Sequence, residues 1–248
     1  MTITDTLLIQ HLNRLQLKYF VKHYPDLVAQ AARESWSPGR FLEHLVLGET
    51  ARRDEALIAR RIREAHLPGI KTLDSFDWSW PKKINRPQIQ QLFRLEFVPR
   101  HENVIFLGGV GVGKSHLSVA LAHHACQQGL SVLFTSAVDI INSLAAAQAT
   151  GGAKREMARL LKPAILCIDE LGYLPIDKFG ADSLFQVISQ RYERGACIIT
   201  SNRAYKKWPE IFNNDSTLTS ALLDRLLHHA ETIVIDGNSY RMREQVDV

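Results

Sequence analysis

Eight consecutive residues in the middle of the chain have the composition and order of a phosphate-binding loop. They run from Gly108 to Ser115 and fit the pattern G-x-x-x-x-G-K-[ST]. Glycines in such a loop let backbone N–H groups turn toward phosphate oxygens at the start of a helix, where the peptide dipoles also favour negative charge. Lys114 would reach the β- and γ-phosphates of a nucleotide, and the Ser115 hydroxyl would hold Mg²⁺. The residues that we expect around the nucleotide are Gly108, Gly109, Val110, Gly111, Val112, Gly113, Lys114, Ser115 and His116.

The flanking residues favour phosphate binding over a chance glycine-rich turn. Residues 103–107 form a short apolar run of the kind found in buried parallel strands. Residues 115–128 carry Leu and Ala at helical spacing. Because a strand, the loop and a helix follow one another directly, we predict a nucleotide-binding P-loop.

An acid pair, Asp169-Glu170, follows another apolar run at residues 164–168. Beside a P-loop, Asp169 would hold Mg²⁺, usually through water, and Glu170 would orient and polarise a water molecule for attack on the γ-phosphate. Two acids at a strand end are also an ordinary signal for the start of a helix. Given the P-loop, we favour the catalytic interpretation, with Ser115 and Asp169 as the metal-holding residues.

A polar residue, Asn202, follows the apolar run at residues 196–200. Its amide would lie near the γ-phosphate and help to position the attacking water. Asparagine is also common at the start of loops. The order of the P-loop, the acid pair and Asn202 along the chain favours the catalytic role.

The elements that must position these residues alternate along the chain. Apolar runs at 103–107, 131–135, 164–168 and 196–200 are separated by segments with helical spacing. This alternation predicts an α/β fold with a parallel sheet that helices cover on both faces. Ligand sites in such sheets lie at the carboxyl ends of the strands, where the P-loop and the acid pair fall.

The chain divides into three predicted regions: a helical domain at residues 1–69, a linker at 70–87 and a nucleotide-binding domain at 88–248. Three aromatic residues of the linker, Phe76, Trp78 and Trp80, lead us to expect that it docks on the core. The first region has the pattern of a bundle of about four short helices. Their segments are residues 7–20, residues 27–34, the segment from Ser37-Pro38 onward, and residues 49–65.

The basic residues of the chain concentrate in its first part. Residues 1–100 contain 16 Lys and Arg against 11 Asp and Glu, whereas residues 101–248 contain 14 against 15. An excess of this sign favours an acidic or nucleic-acid partner, through phosphate contacts rather than base reading. A solvated helix face with intrahelical acidic partners is the alternative. The candidate DNA-binding residues are Arg52, Arg53, Arg60, Arg61 and Arg63.

Other features of the composition bear on location and metal binding. The N-terminus lacks the pattern of a signal peptide, and no apolar run is long enough to span a membrane, so we expect a cytoplasmic protein. The three cysteines are far apart within apolar segments and should be reduced and buried. The pairs His123-His124 and His228-His229 lack the H-E-x-x-H spacing, which favours helix-surface or interface roles over metal binding.

Several stretches together resemble the AAA+ ATPases, and within them the branch that contains DnaC and IstB. The similarity to IstB-type helper ATPases of bacterial transposons extends over nearly the whole chain. The P-loop and the acid pair are generic, whereas the linker, the residues after the acid pair and two C-terminal stretches are discriminating. The stretches that carry the resemblance are Leu15 to Leu67, Lys71 to Asp77, Gly108 to Ser115, Ile168 to Tyr173, Thr200 to Asn202, Leu223 to Leu226, and Gly237 to Arg241.

The resemblance implies an AAA+ P-loop core and an ATP-hydrolysing, Mg²⁺-dependent enzyme that forms homo-oligomers with ATP at the protomer interfaces. Such a protein would bind duplex DNA with little sequence preference, remodel it, and recruit and stimulate a separate transposase. The alternative is a DnaC-like helicase loader, whose N-terminal helices grip a helicase and whose ATPase domain holds single-stranded DNA. The subunit number and the choice between a ring and a spiral stay open.

Two arginine roles also follow from the resemblance. Arg225 is similar in position to the arginine finger, which a neighbouring protomer supplies to the γ-phosphate. An ion pair with Asp224 or Glu231 is the alternative for this residue. Arg241 is similar in position to the sensor 2 arginine, and Arg243 is close enough to take that role. The short C-terminal region leaves no room for a separate helical lid.

Overall fold

Five short segments rich in Val, Ile and Leu form one parallel sheet. The strands are β1 Asn103–Gly108, β2 Val132–Ser136, β3 Ile165–Leu171, β4 Ala196–Ser201 and β5 Ala230–Ile235. They lie in the order β2-β3-β4-β1-β5, and every pairing is parallel. The central strands are buried on both faces, which is why they appear in the sequence as continuous apolar runs. The predicted α/β class with a parallel sheet is confirmed.

Helices cover both faces of this sheet. They are α4 Arg86–Leu92, α5 Lys114–Gln127, α6 Ala137–Ala149, α7 Ala153–Leu161, α8 Lys178–Arg191, α9 Trp208–Ile211 and α10 Ser216–His228. Two apolar clusters form the core. One joins α4 and α5 to the sheet, and the other joins α6, α8 and α10 to it. Side-chain caps at Ser136, Asp177 and Asp215 satisfy backbone N–H groups at the starts of α6, α8 and α10.

This computed structural model describes residues 3–245, and it describes the side chains of residues 6–242. The chain forms two compact units, residues 1–60 and 61–248. Their boundary lies inside one helix, nine residues before the end of the helical region predicted from the sequence. The C-terminal segment ends in a 3₁₀ helix, Tyr240–Gln245, and the described residues contain no separate helical lid after β5.

The expectation of four short helices in the first region is wrong. The described residues there form three helices, α1 Ile3–Arg14, α2 Lys18–Arg33 and α3 Pro38–Glu64. The predicted helix at residues 7–20 breaks where Gln16 takes a left-handed conformation (φ 56°). Pro25 lies inside α2 and does not end it, although an interior proline removes one backbone donor and crowds the carbonyl four residues earlier.

The two segments predicted as separate helices after Ser37 form the single helix α3. Gly48 lies inside it and does not end it. A Cβ atom at Gly48 would lie 2.1 Å from the ring of Tyr19, so the glycine makes room for an aromatic side chain of α2. The buried carboxylate of Glu49 accepts a hydrogen bond of 2.8 Å from the backbone N–H of Tyr19, in the first turn of α2. Tertiary contacts therefore override the local break signals.

The three cysteines lie in the interior, as their apolar sequence context predicts. Cys126, Cys167 and Cys197 are free and buried. Burial raises the pKa of the Cys126 thiol to about 11 and raises the pKa of the other two as well. Within the part of the chain that the structure describes, no helix has the length and apolar character needed to cross a membrane.

Candidate nucleotide-binding site

The P-loop connects the end of β1 to the start of α5. Gly111 (φ 77°) and Gly113 (φ 102°) have left-handed backbone conformations that other residues rarely adopt. Gly113 directly precedes α5, so the loop ends at a helix N-terminus, where unpaired N–H groups favour an anion. The local geometry is that of a phosphate cradle.

Two distant segments pack against the P-loop glycines. A Cβ atom at Gly113 would lie 2.6 Å from the ring of Phe76 in the linker. A Cβ atom at Gly111 would lie 2.1 Å from the Ser239 hydroxyl, and the Tyr240 N–H donates to the Gly111 carbonyl at 2.9 Å. The glycines are therefore needed for close packing as well as for their backbone conformation.

A cleft of about 480 Å³ opens beside the loop. Its walls come from the linker, from the P-loop with the first residues of α5, and from the C-terminal segment. The size is suited to a small-molecule ligand such as a nucleotide. The residues that line it are Pro68, Gly69, Lys71, Ser75, Phe76, Asp77, Trp80, Pro81, Gly111, Val112, Gly113, Lys114, Ser115, His116, Val119, Tyr240 and Arg241.

The half-buried side chain of Lys114 folds back onto its own loop. Its Nζ donates a hydrogen bond of 2.6 Å to the Gly109 carbonyl. Burial lowers the pKa of Lys114, and Arg241 lowers it further, whereas Asp169 and Glu170 raise it. These three charged residues therefore lie close enough to influence the lysine at the mouth of the loop.

Asp169 joins the P-loop to the ends of two strands. Its Oδ1 accepts a hydrogen bond of 3.0 Å from the Ser115 hydroxyl and another from the Thr200 hydroxyl. The Thr200 oxygen in turn accepts the backbone N–H of Glu170 at 3.0 Å. Hydroxyl and carboxylate oxygens are the hard ligands that Mg²⁺ prefers, so the donor set fits this ion.

Glu170 has an unusual backbone conformation at the end of β3. Its φ is 60°, and the pairing of β3 with β4 shifts register between Ile168 and Leu171. Such a bulge redirects a side chain, and positive φ in a residue other than glycine is uncommon outside functional sites and tight turns. The Glu170 side chain is exposed beside the buried strand.

Asn202 lies directly after β4. Its Oδ1 is buried and has no hydrogen-bond partner among the described residues. An unpaired buried acceptor is costly unless a ligand or water reaches it. The amide oxygen therefore has an unmet hydrogen-bonding capacity at the carboxyl end of the sheet.

His116 lines the cleft, but its side chain faces the linker. Its Nε2 lies 3.2 Å from the Thr72 carbonyl and 3.3 Å from the Ser75 hydroxyl. Its ring contacts Phe76 edge to face at 5.4 Å. Burial lowers the pKa of this histidine. The contacts hold the linker against the start of α5.

The structure brings Arg241 to the cleft and leaves Arg225 away from it. Arg225 lies on α10, where it donates to the Ala221 carbonyl at 2.8 Å and stacks over the ring of Phe185. Among the described side chains it forms no ion pair with Asp224 or Glu231, so that alternative is wrong. The side chain of Arg243 lies outside the described residues.

The five candidate DNA-binding arginines fall in both units. Arg52 and Arg53 form ion pairs with Glu49 at 2.6 and 2.8 Å, which neutralise part of their charge. Arg60 belongs to the same unit. In the second unit, Arg61 lies near Gly129 at the end of α5, and Arg63 is exposed.

Comparison with known proteins decides the family. The model of the IstB-like ATP binding protein family of IS21-type elements matches residues 10–248. This chain belongs to that family. It is 36% identical over 236 residues to the ATP-binding protein of insertion sequence IS5376 from Geobacillus stearothermophilus, covering 95% of this chain and 94% of the relative. It is 38% identical over 234 residues to the ATP-binding protein of IS21 from Pseudomonas aeruginosa, covering 94% and 88%.

Solved structures of replication proteins share the fold of this IstB-like chain. The DnaC helicase loader superposes with a TM-score of 0.54 at 22% identity, covering 66% of this chain and 96% of that one. The replication initiator DnaA bound to AMPPCP and single-stranded DNA superposes with a TM-score of 0.58 at 20% identity, covering 70% and 52%. The chain thus spans about half of that DnaA structure. The AAA+ fold and the predicted resemblance are confirmed.

The sequence did not predict that the linker and the C-terminal segment contact each other to form one wall of the cleft. Trp80 Nε1 donates to the Asn238 carbonyl at 3.0 Å, and its ring contacts Tyr240 edge to face at 5.5 Å. Lys83 and Asp236 pair through their backbones beside them. The sequence did mark both segments, because the aromatic linker and the Gly237-to-Arg241 stretch are among the discriminating parts of the resemblance. That mark does not say that the two segments touch.

Proposed function

We propose that this IstB-like protein is an Mg²⁺-dependent ATPase that assembles on target DNA and serves a partner transposase. One observation carries the hydrolytic part of the proposal: the hydrogen bond between Ser115 and Asp169, which brings the neighbouring residues Lys114 and Glu170 into the same site. These residues have the chemical types that phosphoryl transfer to water requires. The relatives of this chain are proteins of insertion sequences, which supports a role in transposition.

Each residue of the site has a distinct proposed task. Lys114 would exchange its bond to the Gly109 carbonyl for phosphate oxygens. Ser115 and Asp169 would hold Mg²⁺, whose charge would offset that of the phosphates. Glu170 would accept a proton from the attacking water, and the Asn202 amide would orient that water. Arg241 would contact the phosphates from the C-terminal side of the cleft.

Arg225 supports a site that is completed by a second copy of the chain. Its guanidinium rests on Phe185 rather than on an acidic partner, and it does not line the cleft of its own chain. Besides Lys114 and Arg241 of the same chain, a further cation would reach the γ-phosphate from the Arg225 of a neighbouring protomer. ATP bound between protomers would then promote oligomer formation.

DNA binding is the part of the proposal that rests on charge. The basic excess lies in residues 1–100, and repetition of that excess around an oligomer would form a long basic surface for duplex phosphates. Contacts to phosphates alone would produce little sequence preference. The assembled protein would present this DNA to the transposase.

Removal of the oxygen ligands tests the hydrolytic proposal. ATP turnover of the full chain is measured against Mg²⁺ concentration for the wild type, for Ser115→Ala and for Asp169→Asn. We expect both variants to need more Mg²⁺ and Asp169→Asn to lose most of its turnover. Ser118→Ala, three residues further along α5, is the matched control. Unchanged Mg²⁺ dependence in both site variants would disprove the assignment.

A further inference from the structure

Three potential metal ligands meet at the amino ends of the strands, at the opposite end of the sheet from the cleft. Glu193 precedes β4, and His228 and His229 precede β5, so all three lie at the amino ends of strands. One ligand atom of each residue lies within 4.8 Å of the others. All three side chains are exposed, so an ion from solvent can reach them.

Tyr192 supports the orientation of one histidine. Its hydroxyl lies 2.6 Å from Nδ1 of His228, and the two rings are stacked at 6.0 Å. With Nδ1 occupied in this way, Nε2 of His228 is the nitrogen available to an ion. A hydrogen bond at the second ring nitrogen is the usual support for a metal-binding histidine.

Asn103 ties together the two elements that carry these ligands. Its Nδ2 donates to the Leu226 carbonyl in α10 at 3.0 Å, and its Oδ1 accepts the Cys197 N–H of β4 at 3.0 Å. Its backbone N–H donates to the His229 carbonyl at 2.7 Å. This buried residue therefore sets the spacing between the end of α10 and the start of β4.

A buried arginine holds the turn that carries Tyr192 and Glu193. Backbone N–H groups of Arg194 and Gly195 bond to the Arg191 carbonyl and close the turn. The Arg191 side chain is 2% exposed, so the turn is anchored in the interior. Its guanidinium donates to the carbonyls of Leu160, Leu161, Pro163, Ala164 and Ala196. The ligand positions are thus preorganised although the side chains are at the surface.

We propose that Glu193, His228 and His229 bind a divalent transition-metal ion of the zinc class. Two imidazoles and one carboxylate suit Zn²⁺, whereas Mg²⁺ and Ca²⁺ prefer oxygen ligands alone. Three protein ligands leave a fourth position for water. The site is distinct from the proposed Mg²⁺ ligands Ser115 and Asp169, which lie at the carboxyl ends of the strands. Metal binding there does not depend on ATP hydrolysis.

The bound ion would join the C-terminal end of α10 to the turn after α8. Arg225 lies one helical turn before His228 and packs on Phe185 of α8. The ion would therefore stiffen the pair of helices that carries the proposed finger. Because it would bind the folded chain, it would raise the melting temperature.

Calorimetric titration with Zn²⁺ alone tests the site, using metal-free full-length protein without nucleotide. We expect one ion per chain, and a loss of affinity of at least ~10-fold in Glu193→Gln, His228→Ala and His229→Ala. Tyr192→Phe should lose affinity more moderately. The buried thiols, whose pKa values are raised, should not compete.

His11→Ala, which removes an exposed histidine on α1, is the matched control and should bind as the wild type does. Circular dichroism without metal identifies any variant that fails to fold, and Glu193→Gln is the substitution least able to disturb packing. The visible absorption of bound Co²⁺ reports the ligand set directly. Wild-type affinity and spectrum in folded Glu193→Gln and His228→Ala would overturn the proposal.

Discussion

The Ser115 hydroxyl donates a hydrogen bond of 3.0 Å to the Asp169 carboxylate across 54 positions of sequence. This contact joins the first turn of α5 to the carboxyl end of β3. It brings a hydroxyl and a carboxylate together next to Lys114, the residue that precedes Ser115. The phosphate-binding and water-activating halves of the proposed site therefore meet in a single chain.

Lys114→Ala and Glu170→Gln should affect different steps. In the proposed site the lysine would contact phosphate, so its removal should weaken ATP binding by roughly 10–100-fold, the loss expected for a charge-assisted hydrogen bond. The glutamate would act on water rather than on the nucleotide, so Glu170→Gln should bind ATP normally and reduce turnover by about 10²–10⁴-fold. Equilibrium binding and steady-state turnover measure the two effects. An equal loss of binding in both variants would contradict these roles.

Arg225 should act in trans, between two copies of the chain. Arg225→Ala and Lys114→Ala proteins should each be inactive, and their mixture should regain ATP turnover. In a random equal mixture, about a quarter of the interfaces combine an intact lysine with an intact arginine. Turnover is measured across mixing ratios, with native mass spectrometry to show mixed oligomers. Mixed oligomers as inactive as their parents would exclude Arg225 as the finger.

Arg60 and Arg63 should contribute to duplex binding through phosphate contacts. The double variant Arg60→Gln/Arg63→Gln tests this without removing the ion pairs that Arg52 and Arg53 form with the buried Glu49. Its affinity for random-sequence duplex should fall, and the slope of log affinity against log salt should decrease by about 1 per lost contact. Lys154→Gln/Arg155→Gln on α7 is the matched control.

The same titration separates the two DNA hypotheses. Duplex binding should be stronger with ATP than without it, because the nucleotide favours assembly. A marked preference for single-stranded DNA would favour the helicase-loader interpretation. Unchanged duplex binding by the Arg60→Gln/Arg63→Gln variant would place the DNA contacts elsewhere on the chain.

Glu49 should stabilise the first unit in a pH-dependent way. Hydrogen bonds from Arg52, Arg53 and the Tyr19 N–H lower the pKa of its carboxyl to about 2, from an ordinary value of 4.5. A depressed folded-state pKa contributes stability that is present above the ordinary value and is lost as pH falls toward the folded value. The first unit of the wild type should thus be more stable than that of Glu49→Gln above about pH 4.5, and this difference in stability should disappear as the pH falls to about 2.

Hydrogen exchange of the α2 amides measures this effect for the first unit separately. At neutral pH, Glu49→Gln should lose about 1–3 kcal/mol of protection, the usual cost of weakening a buried hydrogen-bonded group. Glu55→Gln, on an exposed position of α3, is the control. A difference that persists unchanged at pH 2 would mean that the charge of Glu49 is not responsible.

The fold class and the loop proposed to bind phosphate were predictable because their signals are local. The P-loop pattern needs only adjacent residues, and buried parallel strands appear as apolar runs wherever both faces of a sheet are covered. Because the acid pair and Asn202 each stand at the carboxyl end of an apolar run, a parallel sheet brings them to the same end of the sheet. The structure agrees, with Asp169 bonded to Ser115 and the unpaired Asn202 oxygen beside β4.

Only the tertiary structure decided what surrounds that cradle. Phe76 and Ser239 press on two P-loop glycines from segments more than 30 positions away, and His116 bonds to the linker. Contacts between distant segments likewise keep α3 continuous at Gly48 and set Glu193 beside His228. Local propensity carries no information about such contacts, because they arise from the packing of side chains between elements. The sequence by itself therefore determined the chemistry of the loop and the class of the fold, and the packing decided the walls of the cleft and the place of the histidine pair.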